Sequence, residues 1–253
     1  ESDKYQQTAA NSGNPDPTTY AIGSNLSITP FIHGLVGYWP LNEGSGTTAY
    51  DNSGWNTPLT VSLGGGLTYW TSGISGSAIA YSTSSPTNCV SSAGYVYTSS
   101  VPSVITNLPS GNFSVSLWLM NSSAGVVHLN TSYYSPPSGS VGLWWDGVNI
   151  YIPNSAQQPS HISYTAPANG SWNFFTYDFN LATGESQLYI NGTLVGSASL
   201  SGSYGTISNI GIGMYEPSCI DSGAGDYFND VRIYGRVLTA AQAEAIYNAE
   251  KPQ

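Results

Sequence analysis

Charge is what this sequence most lacks. Only Lys4, Arg232, Arg236 and Lys251 are basic among 253 residues, against fourteen Asp and Glu, and charged residues make up 7 % of the chain. An average soluble domain carries about 25 %. The formal net charge is −10. So few cations cannot neutralise a phosphate backbone, which excludes nucleic acid as a partner. The same deficit excludes adsorption to an anionic membrane surface. Cysteine is scarce too. Cys89 and Cys219 are the only two, too few for a tetrahedral zinc site, and they form no Cys-x-x-Cys pair. Long apolar runs are missing: none approaches the roughly 18 residues a membrane span needs. Glu1-Ser-Asp-Lys4 has neither the basic start nor the apolar stretch of a signal peptide, so the expectation is either a mature or trimmed chain or a targeting segment upstream.

What is present is apolar and aromatic. Hydrophobic residues reach 40 % and aromatic ones 13 %, with 29 Gly, 19 Tyr and 7 Trp. That is enough to bury a core and is not the composition of a disordered chain. The length fits one large all-β domain or two small ones. A polar exterior rich in Gly, Ser, Thr and Tyr points to an extracellular protein. Both cysteines sit in loop-like sequence, Ser85-Pro-Thr-Asn-Cys89 and Glu216-Pro-Ser-Cys219. They read either as one long-range disulfide formed in an oxidising compartment or as two unpaired thiols. Asn25, Asn112, Asn121, Asn130, Asn169 and Asn191 each head an Asn-x-Ser/Thr sequon.

From Leu35 onward the pattern is almost all strand. Asn112-Phe-Ser-Val-Ser-Leu-Trp-Leu-Met120 alternates with period two and places Phe113, Val115, Leu117 and Leu119 on one face. Further strands are predicted at 172–179, 207–214 and 227–234. Asp146-Gly147 lies between Val141–Trp145 and Asn149–Ile152, and Asn191-Gly192 between Gln187–Ile190 and Thr193–Val195. These dipeptides are strong hairpin signals, because a type I′ turn needs positive φ at both central residues. One helix closes the chain. Thr239 is a good N-cap and Gln242 stands three residues on, which makes a capping box for a helix over 240–248. Ala245, Ile246 and Tyr247 are the residues expected to dock it. Many short strands between frequent turns predict a β-sandwich or jelly roll.

Four segments carry a resemblance. They are Gly34-Leu-Val-Gly-Tyr-Trp-Pro-Leu-Asn-Glu-Gly44 continuing to Asp51-Asn-Ser-Gly54, Asn112-Phe-Ser-Val-Ser-Leu-Trp118, Trp172-Asn-Phe-Phe-Thr-Tyr-Asp178 with Leu188-Tyr-Ile-Asn-Gly192, and Asn229-Asp-Val-Arg-Ile-Tyr-Gly-Arg236 running on to Asn248. Together they resemble the laminin-G-like, concanavalin A-like jelly roll domain of bacterial surface proteins. The resemblance implies an all-β fold: two stacked antiparallel sheets, a rim of loops and a short C-terminal helix. It divides the chain into residues 1–33, 34–249 and a tail at 250–253. A shorter likeness at the start, Glu1-Ser-Asp-Lys-Tyr5 with Tyr20-Ala-Ile-Gly-Ser24, is to the stretch after the long N-terminal helix of type IV pilin-like proteins. Residues 1–33 are then a pilin-like remnant or a linker. The family usually has a short turn with an Asp pair where this chain has the longer 80–94 stretch, so Cys89 reads as a local addition tying that loop to Cys219.

The expected sites follow from these readings. Laminin-G-like domains often hold calcium at the rim, which implies a structural ion bound by Asp51, Asn52, Asn56 and Asp230, hard oxygen donors of the kind calcium takes. The alternative at those positions is an Asx turn at Asp51 and an ion pair from Asp230 to Arg232 or Arg236. Glycan binding would use Trp55, Tyr133, Tyr134, Trp144, Trp145 and Tyr151, as exposed aromatic faces beside amides. Enzymatic chemistry has little support. Retaining glycosidases need two carboxyl groups about 5–5.5 Å apart, and the Glu-x-Asp-x-x-Glu strand run that supplies them elsewhere in this fold is absent. No catalytic residues are therefore expected. The leading expectation is a non-enzymatic head of a type IV pilin-like subunit, on a pilus or secreted, contacting other pilin subunits and surface glycans and anchored by an upstream helix. The alternative is a carbohydrate-binding module of a secreted protein; a glycoside hydrolase comes last.

Overall fold

The structure, a computed structural model, describes residues 21–22, 26–27, 33–63, 68–81, 95–108, 111–120, 125–130, 141–145, 149–152, 160–163, 170–200, 206–216, 219–220 and 226–252. Two eight-stranded antiparallel sheets face one another. The first runs in the order β16 (Thr193–Ser199), β15 (Glu185–Ile190), β14 (Trp172–Asn180), β9 (Phe113–Met120), β20 (Asp226–Tyr234), β7 (Ser77–Tyr81) and β6 (Thr68–Ser72), with β3 (Leu35–Trp39) also paired to β20. The second runs β13 (Ser160–Ser163), β12 (Asn149–Ile152), β11 (Val141–Trp145), β10 (Gly125–Asn130), β17 (Asn209–Ile212), β8 (Tyr95–Thr98), β5 (Leu59–Ser62) and β4 (Thr48–Ala49). Two small ribbons pair β1 (Ala21–Ile22) with β2 (Leu26–Ser27), and β18 (Met214–Glu216) with β19 (Cys219–Ile220). A short helix α1 (Ser103–Thr106) crosses one end, and α2 (Ala240–Glu250) closes the chain.

The alternation in β9 sorts its side chains as expected. Phe113, Val115, Leu117 and Leu119 enter the main core between the sheets. The other face is buried as well: Ser114, Ser116 and Trp118 are each no more than 1 % exposed. β14 behaves alike, with Phe175, Tyr177 and Phe179 in the main core and Phe174 on the opposite side. The reason is α2 and the 235–238 segment leading into it, which lie across the outer face of this sheet. Its capping box forms: Thr239 Oγ1 accepts from the Gln242 amide at 3.3 Å, and Gln242 Oε1 accepts from the Thr239 amide at 3.0 Å. Ile246 and Ala243 are fully buried, so Ala243 takes the place expected of Ala245. Tyr247 packs its ring 5.9 Å from that of Trp118. Burying an isoleucine contributes about 1.5–3 kcal/mol, and here that holds the helix to the sheet.

The Asn191-Gly192 hairpin fits its expected turn, with φ of 52° and 77°. A side chain at Gly192 would place Cβ 2.8 Å from Glu244 Cα, so the turn is seated against α2. The Asn191 amide is used at both ends: its Oδ1 accepts from the Phe174 amide and its Nδ2 donates to Asn173 Oδ1, each at 2.9 Å. This sequon asparagine is therefore part of the turn. At the far edge Ile162 of β13 sits over Gly196 of β16, in space that a Cβ would fill. β11 and β12 pair as the Asp146-Gly147 signal predicts, Trp144 opposite Tyr151. The strand predicted over 207–214 divides into β17 and β18. Cys89, Tyr133, Tyr134 and residues 1–20 lie outside the described residues.

Candidate functional site

At one end of the sandwich a cleft of about 540 Å³ opens among four separate segments of the chain. Leu35 and Val36 at the start of β3, with Leu108, give it an apolar floor. Trp55 and Val104 of α1 flank it, Ser103, Asn107 and Asn112 supply polar groups, and Gly34, Gly111 and Gly235 leave backbone within reach. No lining residue is charged. Asn112 Oδ1 accepts from the Ala182 amide at 3.3 Å, which orients its Nδ2 as a donor.

Asp51 holds Trp55 in place. Its Oδ1 accepts from the amides of Tyr38 at 3.0 Å and Ser53 at 2.8 Å, and its Oδ2 from the Thr57 amide at 2.9 Å. The Ser53 contact is an Asx turn. Ser53 Oγ then accepts from the Trp55 amide at 3.2 Å. Trp39 Nε1 donates to the Thr57 carbonyl at 2.8 Å and ties the loop to the core. Trp55 is half-buried against that core, and its indole Nε1 is shielded without a hydrogen-bond partner. Thus one carboxylate, through three backbone amides, fixes the loop that presents the aromatic.

The four expected calcium ligands do not converge. Asp51 faces the backbone amides just named. Asn52 follows it, donating its own amide to the Tyr38 carbonyl at 2.7 Å, and Asn56 occupies a left-handed turn position with φ 56°. Asp230 Oδ1 instead accepts from the Tyr38 hydroxyl at 2.7 Å and pairs with Arg232 at 3.5 Å. Asp51 meets the backbone of Tyr38 and Asp230 the far end of its ring. Calcium wants about six to eight oxygens around one point, so these residues do not fit the ion; they follow the Asx-turn and ion-pair alternative. Among the described residues no three His, Cys, Asp or Glu side chains come together as a metal set. Of the candidate aromatics, Trp55 lines the cleft. Trp144 and Trp145 belong to β11 and Tyr151 to β12.

Several of the described charges lie inside the fold. Arg232 is 2 % exposed. It reaches Glu250 of α2 with both terminal nitrogens, at 2.7 Å and 3.2 Å, and lies 4.4 Å from the centre of the Tyr38 ring. Trp118 Nε1 donates to Glu250 at 3.1 Å. Burial lifts the Glu250 carboxyl to about 7 even though Arg232 pulls it down. On the same outer face Asp178 is 1 % exposed and accepts from Ser114 Oγ at 2.5 Å, while Ser186 Oγ donates to the Asp178 carbonyl at 2.6 Å. Burial also raises the Asp178 carboxyl to about 7, against the pull of Ser114, the Leu238 amide and Arg236. Sequence reasoning had no signal for either cluster, because the partners come from strands and segments far apart in the chain.

The profile described as "Concanavalin A-like lectin/glucanases superfamily" matches residues 91–244, more than half of the chain. The chain belongs to the concanavalin A-like lectin and glucanase superfamily. A search of curated proteins returned no match. Among solved structures this superfamily member is similar to botulinum neurotoxin type C, described as depending for cell entry on two ganglioside molecules, with TM-score 0.66, 13 % identity, and 89 % of this chain and 53 % of that one covered. It is similar to the binding domain of botulinum neurotoxin DC in complex with SialylT, at TM-score 0.64 and 16 % identity over 86 % and 52 % of the two chains. The binding domain of Paraclostridial Mosquitocidal Protein 1 matches at TM-score 0.61 and 17 % identity over 85 % and 52 %. At such identities the likeness is one of fold, and the chain spans about half the length of each. The matches are to lectin-like folds and binding domains. None of them points to a pilin head.

The superfamily also contains glucanases, whose chemistry needs a carboxylate pair facing the substrate. The cleft lining of this member has none. The carboxylates of Asp178, Asp230 and Glu250 are instead hydrogen-bonded within the sheet and under α2.

Proposed function

We propose that this chain is a non-enzymatic recognition module of an extracellular protein, which holds an uncharged glycan in the cleft beside Trp55. The observation that carries this reading is the lining: one aromatic side chain over an apolar floor, amides and a hydroxyl at the edge, and no charge. Sugars present apolar C–H faces and many hydroxyls, and a concave site with an aromatic wall and a few placed polar groups suits them. An anionic sugar is disfavoured. The chain carries a net charge of −10, and Arg236, whose stem covers Gly34 at the cleft, donates to the His33 carbonyl at 2.8 Å and to Gln242 Oε1 at 2.7 Å. The superfamily membership and the binding-domain neighbours support a recognition role. Their ganglioside and SialylT partners belong to longer chains, of which this one covers about half, and are not carried over.

A glycan array probed with the intact chain tests this. Neutral glycans are expected to bind, sialylated ones to bind less, and Trp55→Ala to lower affinity at least about tenfold, or 1.4 kcal/mol. Glycan binding that is indifferent to Trp55→Ala and Asn112→Ala, or no glycan binding at all, overturns the reading.

A further inference from the structure

The cleft rests on a hydrogen-bond junction that is one hydrogen short. Ser114 Oγ on β9 lies 2.5 Å from Asp178 Oδ1 and 2.9 Å from the Arg236 carbonyl oxygen, and it accepts from the Leu238 amide at 2.9 Å. A serine hydroxyl has a single hydrogen to donate and two lone pairs to accept with. When Asp178 is ionised, that hydrogen serves the carboxylate or the Arg236 carbonyl, but not both. When Asp178 takes up one proton from water, all the contacts close together. The carboxyl O–H donates to Ser114 Oγ, the Ser114 O–H donates to the Arg236 carbonyl, and the Leu238 amide still donates to Ser114 Oγ.

The segment that gains or loses this bond is joined to the cleft. The Gly235 amide donates to the Gly34 carbonyl at 2.7 Å, and both glycines line the cleft. The Arg236 stem covers Gly34 so closely that a Cβ there would lie 3.1 Å from it. Asn112, also in the lining, stands two residues before Ser114. We propose that Asp178 is a proton-operated switch for the cleft: its protonation braces the 235–238 segment through Ser114, and its ionisation releases the Arg236 carbonyl. The inference rests on the reading of the cleft as the binding site, and it makes that site tightest in mild acid.

The groups that face Asp178 are consistent with a switch near neutrality. Ser114 from β9 and Ser186 from β15 are uncharged. Hydrogen bonds from Ser114 and the Leu238 amide, and the charge of Arg236 from the segment after β20, favour the ionised form. Tyr189 from β15 is the other titratable group that senses Asp178. Burial outweighs all three and raises the carboxyl to about 7.

The test is a nuclear magnetic resonance titration of the isotope-labelled, ligand-free chain from about pH 5 to 9, following the Asp178 carboxyl carbon and the Gly235 and Leu238 amides. All three are expected to move with one midpoint near 7. Asp178→Asn keeps the shape and supplies a permanent N–H donor. It should hold the two amides at their low-pH positions throughout. Ser114→Ala keeps the carboxyl and removes the relay; Asp178 should still titrate while Gly235 no longer follows. Amides that stay flat in the native chain, or that titrate unchanged in Asp178→Asn, overturn the proposal. Should either variant fail to fold, co-titration in the native chain alone decides it. The titration needs no glycan, so a cleft that binds none fails the functional reading without touching this result.

Discussion

At the scale of single residues, two buried carboxyls give the fold a pH dependence of definite sign. An unperturbed Asp or Glu titrates near about 4, whereas Asp178 and Glu250 are each raised to about 7. Between those values the folded chain keeps protons that the unfolded chain has lost. The contribution is fully present below about pH 4 and is lost as pH rises through 7. The melting temperature is therefore expected to fall between pH 5 and pH 8. Asp178→Asn, which has no charge to bury, should flatten that slope and melt higher at pH 8, by about 2–4 °C for each kcal/mol recovered in a chain of this size. Thermal scans across that range check both; a slope of opposite sign contradicts the burial argument. Asp51 behaves differently, since its oxygens are taken by three backbone amides. Asp51→Ala should cost about 1–3 kcal/mol by leaving those donors unpaired, and excess EDTA should leave the melting temperature of the native chain unchanged. A melting point that drops in EDTA would restore a structural ion to that loop.

At the scale of elements, α2 is held by one apolar contact set and one ion pair. Removing one partner of a buried pair typically costs about 3–5 kcal/mol, because the other charge is left uncompensated. Arg232→Ala is accordingly expected to destabilise the fold by that order in chemical denaturation, and to expose Trp118 to quenchers as α2 lifts. The Gly192 turn contributes separately. Gly192→Ala would set a Cβ 2.8 Å from the Glu244 backbone at φ 77°, and should cost about 1–3 kcal/mol. A neutral Gly192→Ala would mean the hairpin does not rest on the helix. These elements differ in how well the sequence announces them. The capping box of Thr239 and Gln242, the Asn191-Gly192 turn and the period-two run of β9 are local patterns, and each appears where its spacing predicts. The burial of Ser114, Ser116 and Trp118 on the outer face of β9 was not legible, because it depends on a helix more than a hundred residues later. Trp55 was legible as an aromatic beside an Asx-turn aspartate. The cleft it joins was not, since its lining comes from positions near 35, 55, 104–112 and 235 that only the fold brings together. Asp51 and Asp230 looked like partners in the sequence, and Tyr38 lies between them in the structure.

At the scale of the whole molecule, the shortage of charge acquires a location. Arg232 is spent inside the fold, Arg236 is committed to His33 and Gln242, and Asp178, Asp230 and Glu250 are hydrogen-bonded in the interior. The cleft lining itself carries no charge. Such a lining offers no cation to a phosphate or a sialic acid and leaves stacking and amide hydrogen bonding as the means of recognition. The most direct measurement is calorimetric titration of the intact chain and of Trp55→Ala with neutral glycans and their sialylated counterparts. The account predicts that a neutral glycan binds, that Trp55→Ala weakens it at least about tenfold, and that sialylation lowers affinity further. Binding that survives Trp55→Ala unchanged, or that requires the sialic acid, contradicts it.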